Sequence, residues 1–164
     1  MIPKEIKDKL TKQIAENEYP REEVVNVMYA LQQHYGYMSD EAVSEACELL
    51  NMTPLEIDEL ATFYDFIYRE PVGKYVIHVC DSTICWMYGN DSLMDYLARK
   101  LGIAAGETTS DGLFSLLPSC CIGYCDHAPA ILINGKPYGN LTPESIDEIL
   151  ETLRSQTSVL AEVK

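Results

Sequence analysis

Cys80 and Cys85 form a C-x4-C pair, and Cys120, Cys121 and Cys125 stand together 35 residues later in the stretch LLPSCCIGYCDHAP. A thiolate is both a strong nucleophile and a soft metal ligand. Disulfides, a redox dithiol, a zinc site and an iron–sulfur cluster are therefore the chemistries to weigh.

Disulfides suit oxidising compartments and domains too small to bury a core. This chain has 164 residues, enough for a core without staples, and its start, MIPKEIKDKLTKQIAENE, has no apolar signal region. A reducing, cytosolic setting is expected. A thioredoxin-type dithiol needs C-x-x-C to set its attacking thiol, and that spacing does not occur. Structural zinc accepts four cysteines at such intervals. A [2Fe-2S] cluster also takes four thiolates, is wider than one zinc ion, and suits the longer x4 and x3 intervals. Spacing alone leaves zinc and iron–sulfur both open.

Cys120 with Cys125 makes a second C-x4-C, whereas Cys121 with Cys125 makes C-x3-C. Neighbouring side chains on an extended segment point to opposite faces, so one of the adjacent pair is a bystander. Cys47, inside a helical pattern, reads as a small buried apolar residue. His127 cannot make a Rieske centre alone, because that centre needs two histidines. His78 reads as a packed core residue and Trp86 as a shield over the metal site.

The elements that must position these thiols fall into two regions. Up to about residue 71 the pattern is helical. Ile6, Leu10 and Ile14 share one face; Pro20 opens a second helix carrying Val24, Val27, Met28 and Leu31, which Gly36 ends; a third covers Asp40 to Leu50. TPLEIDELATFY places Thr53 at an N-cap, Pro54 at the first helical position and Glu56 where a capping box wants an acid. After REPVGK, the run Lys74 to Cys80 reads as a mostly buried strand. A helix follows with Leu93, Leu97 and Leu101 on one side and Gly102 as its stop. GLFSLLPSCC and APAILI are further strands, and Asn134-Gly135 signals a hairpin into KPYG. Thr142 then caps a last helix whose face is Ile146, Ile149, Leu150 and Leu153. Strand, helix, strand, strand, helix predicts an α/β (α+β) layer with a small mixed sheet, preceded by a helical bundle.

The charge balance, 26 Asp+Glu against 12 Lys+Arg, gives −14, which repels phosphate backbones and anionic lipid surfaces. Nucleic acid is not expected as a partner; solubility and a docking face for a basic protein both account for the acidity. No run of about 18 apolar residues is present, so direct membrane insertion is not expected. No G-x-G-x-x-G follows a strand and no phosphate-binding loop occurs, so the chain should bind no nucleotide alone.

The stretches ATFYDFIYREPVGKYVIHVCDSTICWMYG and GETTSDGLFSLLPSCCIGYCDHAP closely resemble the small thioredoxin-like [2Fe-2S] subunit of NADH:quinone oxidoreductase, respiratory complex I. The likeness runs from about Tyr19 to Leu153 and rests on A-T-F-Y, P-V-G-K, C-D-S-x-x-C, G-x-T-T-x-D-G and C-x-G-x-C-D in the family's order. It implies a helical extension over 1–71 and a thioredoxin-like ferredoxin domain over 72–155; the tail from about Gln156, 156–164, is expected to fray as a chain end. It implies Cys80, Cys85, Cys121 and Cys125 as the cluster's ligands, with Cys120 preceding the motif. Gly123 then lets the backbone come close and turn its N–H groups toward the sulfurs. The resemblance further implies an electron-transfer role beside a partner subunit that binds FMN and NADH, with further iron–sulfur subunits, at the cytoplasmic face of the cell membrane. NAD-linked formate dehydrogenases and bidirectional hydrogenases use the same module. A zinc-stabilised adaptor is the alternative of another class.

Overall fold

Local signals start and stop the helices of the first region. α1 spans Lys4–Glu16, α2 Val24–Tyr35, α3 Asp40–Leu50 and α4 Pro54–Phe63. Ser39 Oγ accepts the Ala42 N–H at the head of α3. Thr53 and Glu56 close the expected capping box on α4, with Pro54 in its first turn. Pro20 opens a separate 3-10 turn, Pro20–Glu23, and α2 begins only after it. Gly36 ends α2 at φ +86°, in the left-handed region that glycine enters without a Cβ clash.

These helices enclose one apolar core, with Val27, Met28, Leu31, Met38, Ala42, Ala46 and Ile57 fully buried. Each large aliphatic side chain so buried stabilises by about 1.5–3 kcal/mol. Cys47 is half-buried against this core, and burial pushes its thiol pKa up. That fits the apolar role. Gln32 holds the chain beyond α4 to α2: its Nε2 donates to Phe66 O at 2.8 Å and its Oε1 accepts from Tyr68 N at 2.6 Å.

The computed structural model describes residues 1–162, the side chains of 90, 91 and 158–162 excepted, and divides at Pro71/Val72 into two compact units. The second unit carries β1 (Tyr75–Cys80), α5 (Thr83–Met87), α6 (Asn90–Leu101), β2 (Phe114–Ser119), β3 (Ile131–Ile133), β4 (Lys136–Tyr138) and α7 (Pro143–Glu162). Its sheet is mixed, in the order β2-β1-β3-β4. β1 is parallel to β2 and antiparallel to β3, and β4 returns antiparallel to β3. The central place of β1 explains its apolar, β-branched composition: five consecutive residues, Val76 to Cys80, are buried. Joining parallel strands needs a crossover, which α6 supplies. Leu93 and Leu97 from α6 and Ile146, Leu150 and Leu153 from α7 share one core with Ile77, Val79, Phe114, Leu116 and Ile131.

Several motifs prove architectural. Asn134 and Gly135 have φ of 46° and 83°, the two positive values of a type I′ hairpin turn. The Asn134 side chain accepts from Val76 N at 2.8 Å and donates to Lys74 O at 2.8 Å, locking the hairpin to β1. A Cβ on Gly73 would stand 2.8 Å from Phe114 C, so P-V-G-K is a close backbone approach between β1 and β2. In GETTSDG, Thr109 Oγ1 and Leu113 N donate to Asp111 Oδ1, and Gly106 N donates to Leu116 O at 2.7 Å, laying that loop along β2.

Two sequence expectations change. A five-residue helix, α5, lies inside the C-x4-C loop, where none was expected. The tail expected to fray from about Gln156 is helical through Glu162, and positions 163 and 164 lie outside the described residues. Thr157 ties α7 to the start of β1, its Oγ1 lying 3.0 Å from Lys74 Nζ and 3.3 Å from Tyr75 Oη. Among the described residues no helix is long and apolar enough to cross a membrane.

Candidate metal centre

Cys80 is the last residue of β1, held there as its N–H donates to Ala130 O at 3.2 Å. Asp81 N donates to Ser119 O at 2.7 Å, which joins the loop after β1 to the end of β2. α5 then turns the chain back so that Cys85 points inward. Cys80 and Cys85 are each 1% exposed and form a small apolar cluster with Ala130, flanked by Ile122, Tyr124 and Ala128. Burial is the main reason the Cys85 thiol pKa is pushed up to about 11. Its hydrogen bond with Cys80 adds to the rise, and the Ala130 N–H opposes it.

Cys121 and Cys125 lie at the surface, on the loop that leaves β2, with their sulfurs 3.5 Å apart. Cys121 is held below the ordinary thiol range, first by the Gly123 N–H, then by hydrogen bonds from Cys125, Ser82 and Cys80. Cys125 is raised, chiefly because it donates to Cys121. Gly123 has φ +78°, and a Cβ added to it would meet nothing within 4 Å, so the turn needs glycine for its left-handed backbone and not for space. Cys80 acts electrostatically on both Cys121 and Cys125, so the inner and outer pairs are neighbours. None of the six cysteines, all among the described residues, is in a disulfide.

Cys125 opens a 3-10 turn, Cys125–His127, that packs by aromatic stacking: the Tyr124 and His127 rings lie 4.4 Å apart at 7°. A Cβ on Gly139 would stand 2.5 Å from His127 Cβ and from His127 O, so the chain entering α7 fits under this turn only as glycine. Asn140 N donates to His127 O at 2.6 Å. His127 Nδ1 lies 3.0 Å from Asp126 Oδ1, so its ring is engaged with Tyr124 and Asp126. His78 is 6% exposed in the middle of β1, the packed position expected of it.

The expected shield, Trp86, is 60% exposed, and Ile84, Met87 and Tyr88 beside it are also at the surface. α5 is too short to bury both faces, and the face carrying Cys85 is the inward one. The apolar cover is Ile122, Tyr124, Ala128 and Ala130 instead. Cys120 is exposed, one residue beyond the end of β2.

Ala130, Gly139 and Ser82 escaped sequence reasoning. Ala130 and Gly139 act through backbone contacts that only the fold creates. Ser82 left a trace, since serine ahead of a short helix is an N-cap signal.

N–H and O–H donors aimed at sulfur suit thiolates that carry metal charge, which is how protein hydrogen bonds tune iron–sulfur centres. Among the described residues no three or more His, Cys, Asp or Glu side chains close on one point as a single-ion site would require. Four thiols in two neighbouring pairs match the donor set of a centre of two metal ions with two thiolates on each. The residues present fit a [2Fe-2S] cluster.

The chain matches the model of the thioredoxin-like [2Fe-2S] ferredoxin family over residues 10–154. It is 38% identical over 134 residues to the E subunit of the NADH-quinone oxidoreductase of Pseudomonas aeruginosa, covering 82% of this chain and 81% of that protein. It is 41% identical to the corresponding subunit of Buchnera aphidicola from Acyrthosiphon pisum, over 79% of this chain and 80% of that one. The Escherichia coli counterpart is 39% identical over 82% of this chain and 81% of its own length. In three dimensions the chain resembles part of an air-oxidised NAD+-reducing [NiFe]-hydrogenase, with a TM-score of 0.68 and 31% identity. That likeness covers 79% of this chain but only 23% of the hydrogenase chain. Since the matched span holds α2 to α6, the mixed sheet and both sulfur pairs, the chain belongs to the thioredoxin-like [2Fe-2S] ferredoxin family.

Proposed function

We propose that this chain is the electron-transfer subunit of an NADH:quinone oxidoreductase, with Cys80, Cys85, Cys121 and Cys125 as the ligands of its [2Fe-2S] cluster. The observation that carries the reading is the meeting of a buried and an exposed sulfur pair at one end of the sheet. When bound, the cluster supplies a one-electron redox couple. The chain's own residues fix its place and surroundings. Cys80 and Cys85 hold it from the core side, where Ala130, Ile122 and Ala128 keep water away. Cys121 and Cys125 hold it from the surface, the side from which an electron can reach a neighbouring protein.

Cys121 is the ligand in preference to Cys120 because it opens the C-x-G-x-C stretch and its sulfur lies 3.5 Å from that of Cys125. The sequence has no dinucleotide fingerprint, so hydride chemistry falls to a partner subunit that binds NADH and FMN, beside further iron–sulfur subunits. The chain then sits on the inner face of the cell membrane through the complex, in the cytoplasm, without inserting into the bilayer. The likeness to the NAD+-reducing hydrogenase favours one second reading, the same electron-transfer role in a hydrogenase that works with NAD. Purification from the native cells separates them: co-purification with a flavin-binding chain and quinone-dependent NADH oxidation supports the first reading, and hydrogen-dependent NAD+ reduction the second.

A further inference from the structure

We propose that Cys121 and Cys125 close to a reversible disulfide when the chain meets an oxidant before it has taken up its cluster, which shuts the outer half of the site to metal. The inference rests on the assignment of both residues as cluster ligands. Their sulfurs stand 3.5 Å apart, and both residues are exposed on the loop that leaves β2. An S–S bond of about 2.05 Å is within reach of exposed side chains, which change rotamer freely. Gly123, at φ +78°, makes the turn that brings the two ends of C-x3-C together. Cys80 and Cys85 are 1% exposed, so a dissolved oxidant does not reach them. Cys120 is exposed as well, but a disulfide between adjacent residues has to distort the planar peptide that joins them.

The step is thiol–disulfide exchange with a small disulfide, of which oxidised glutathione is the type. The thiolate of one outer cysteine attacks that disulfide, forming a mixed disulfide and releasing one glutathione thiolate. The thiolate of the other outer cysteine then attacks the protein sulfur of the mixed disulfide and releases the second glutathione. The two cysteines give up two electrons and two protons, and the small disulfide leaves as two thiols. In a reducing compartment such a bond is transient and redox-responsive. A lone exposed thiol oxidises through sulfenic to sulfinic acid, which is not recovered, whereas a neighbouring thiol diverts it to a disulfide that a dithiol reopens. The same spacing thus serves two states of the outer pair: as thiolates they hold the cluster, and as a disulfide they are kept from irreversible oxidation until it arrives.

The test uses the whole chain, freed of metal and reduced, then treated anaerobically with oxidised glutathione. Peptide mass mapping should find Cys121 joined to Cys125, with Cys80 and Cys85 still free thiols. When iron and sulfide are then offered, cluster absorbance should stay below about a tenth of that of the untreated chain, and dithiothreitol should restore it. Cys125→Ser should stop at a mixed disulfide between Cys121 and glutathione, and Cys120→Ser should oxidise as wild type does. A disulfide through Cys120, Cys80 or Cys85 overturns the inference, as does a wild-type chain left unreacted or one that keeps glutathione in place of the internal bond. A Cys121–Cys125 disulfide that leaves cluster loading unchanged overturns it too. An untreated chain that takes up no iron overturns the cluster assignment itself; the disulfide is read by mass, without iron, so the two failures are distinct.

Discussion

The two halves of the cysteine constellation are held by opposite means. Cys80 and Cys85 are 1% exposed and fixed by the sheet: one ends the central strand, and the other faces inward from α5 against Ala130. Cys121 and Cys125 are exposed on a loop whose shape depends on Gly123 at φ +78°, the 3-10 turn at Cys125–His127 and the Tyr124–His127 stack. Packing places the inner pair; hydrogen bonds and one backbone conformation place the outer pair. The inner half is thus part of the fold, and the outer half is built upon it.

This contrast sets an order of effects. Replacing an inner ligand should be most damaging. Cys85→Ser should abolish the cluster and also destabilise the cluster-free chain by about 1–3 kcal/mol, because a hydroxyl buried in place of the thiol pays a desolvation cost that Cys80 and the Ala130 N–H return only in part. Denaturant unfolding with and without iron reads both losses. Cys121→Ser should lose the cluster or strongly change its EPR signal, while leaving the cluster-free chain within about 0.5 kcal/mol of wild type. Equal destabilisation by the two variants would break the contrast.

Gly123→Ala should act only on the outer half. A left-handed backbone costs a non-glycine residue about 1–2 kcal/mol, so this variant should load its cluster and lose it faster to a chelator at unchanged core stability. The helical unit gives the next smaller effect on the site. The Thr53 N–H and hydroxyl and the nearby Arg21 hold the Glu56 carboxyl down at about 2, below its ordinary 4.5. A lowered carboxylate pKa contributes stability that is fully present above about 4.5 and lost as pH falls toward about 2. The first unit should therefore weaken across that acid window, and Glu56→Gln should flatten the slope without altering the cluster's spectrum at neutral pH. Cys120→Ser should change least, keeping a native-like EPR signal. A lost signal there with a retained one in Cys121→Ser would reverse the ligand choice.

Much of the frame was legible because its signals are local. Thr53, Pro54 and Glu56 announce α4 within four residues, and Asn134-Gly135 announces its hairpin by the backbone it must adopt. The central strand was visible as an unbroken apolar run. Elements that depend on distant contacts were hidden. α5 is shorter than the repeat by which amphipathic helices are recognised, so neither it nor the outward turn of Trp86 showed. Thr157 of α7 is held by Lys74 and Tyr75, more than eighty residues earlier in the chain. Strand alternation does not separate Cys120 from Cys121, because β2 ends at Ser119 and neither cysteine lies on it; the Cys121 sulfur lies 3.5 Å from that of Cys125.

The central claim is tested most directly by metal and sulfide analysis, with EPR, of the chain produced anaerobically. A [2Fe-2S] centre predicts about two iron and two acid-labile sulfide per chain, a reddish-brown colour and a signal that appears on one-electron reduction. Colourless protein with stoichiometric zinc and no reducible signal would contradict it.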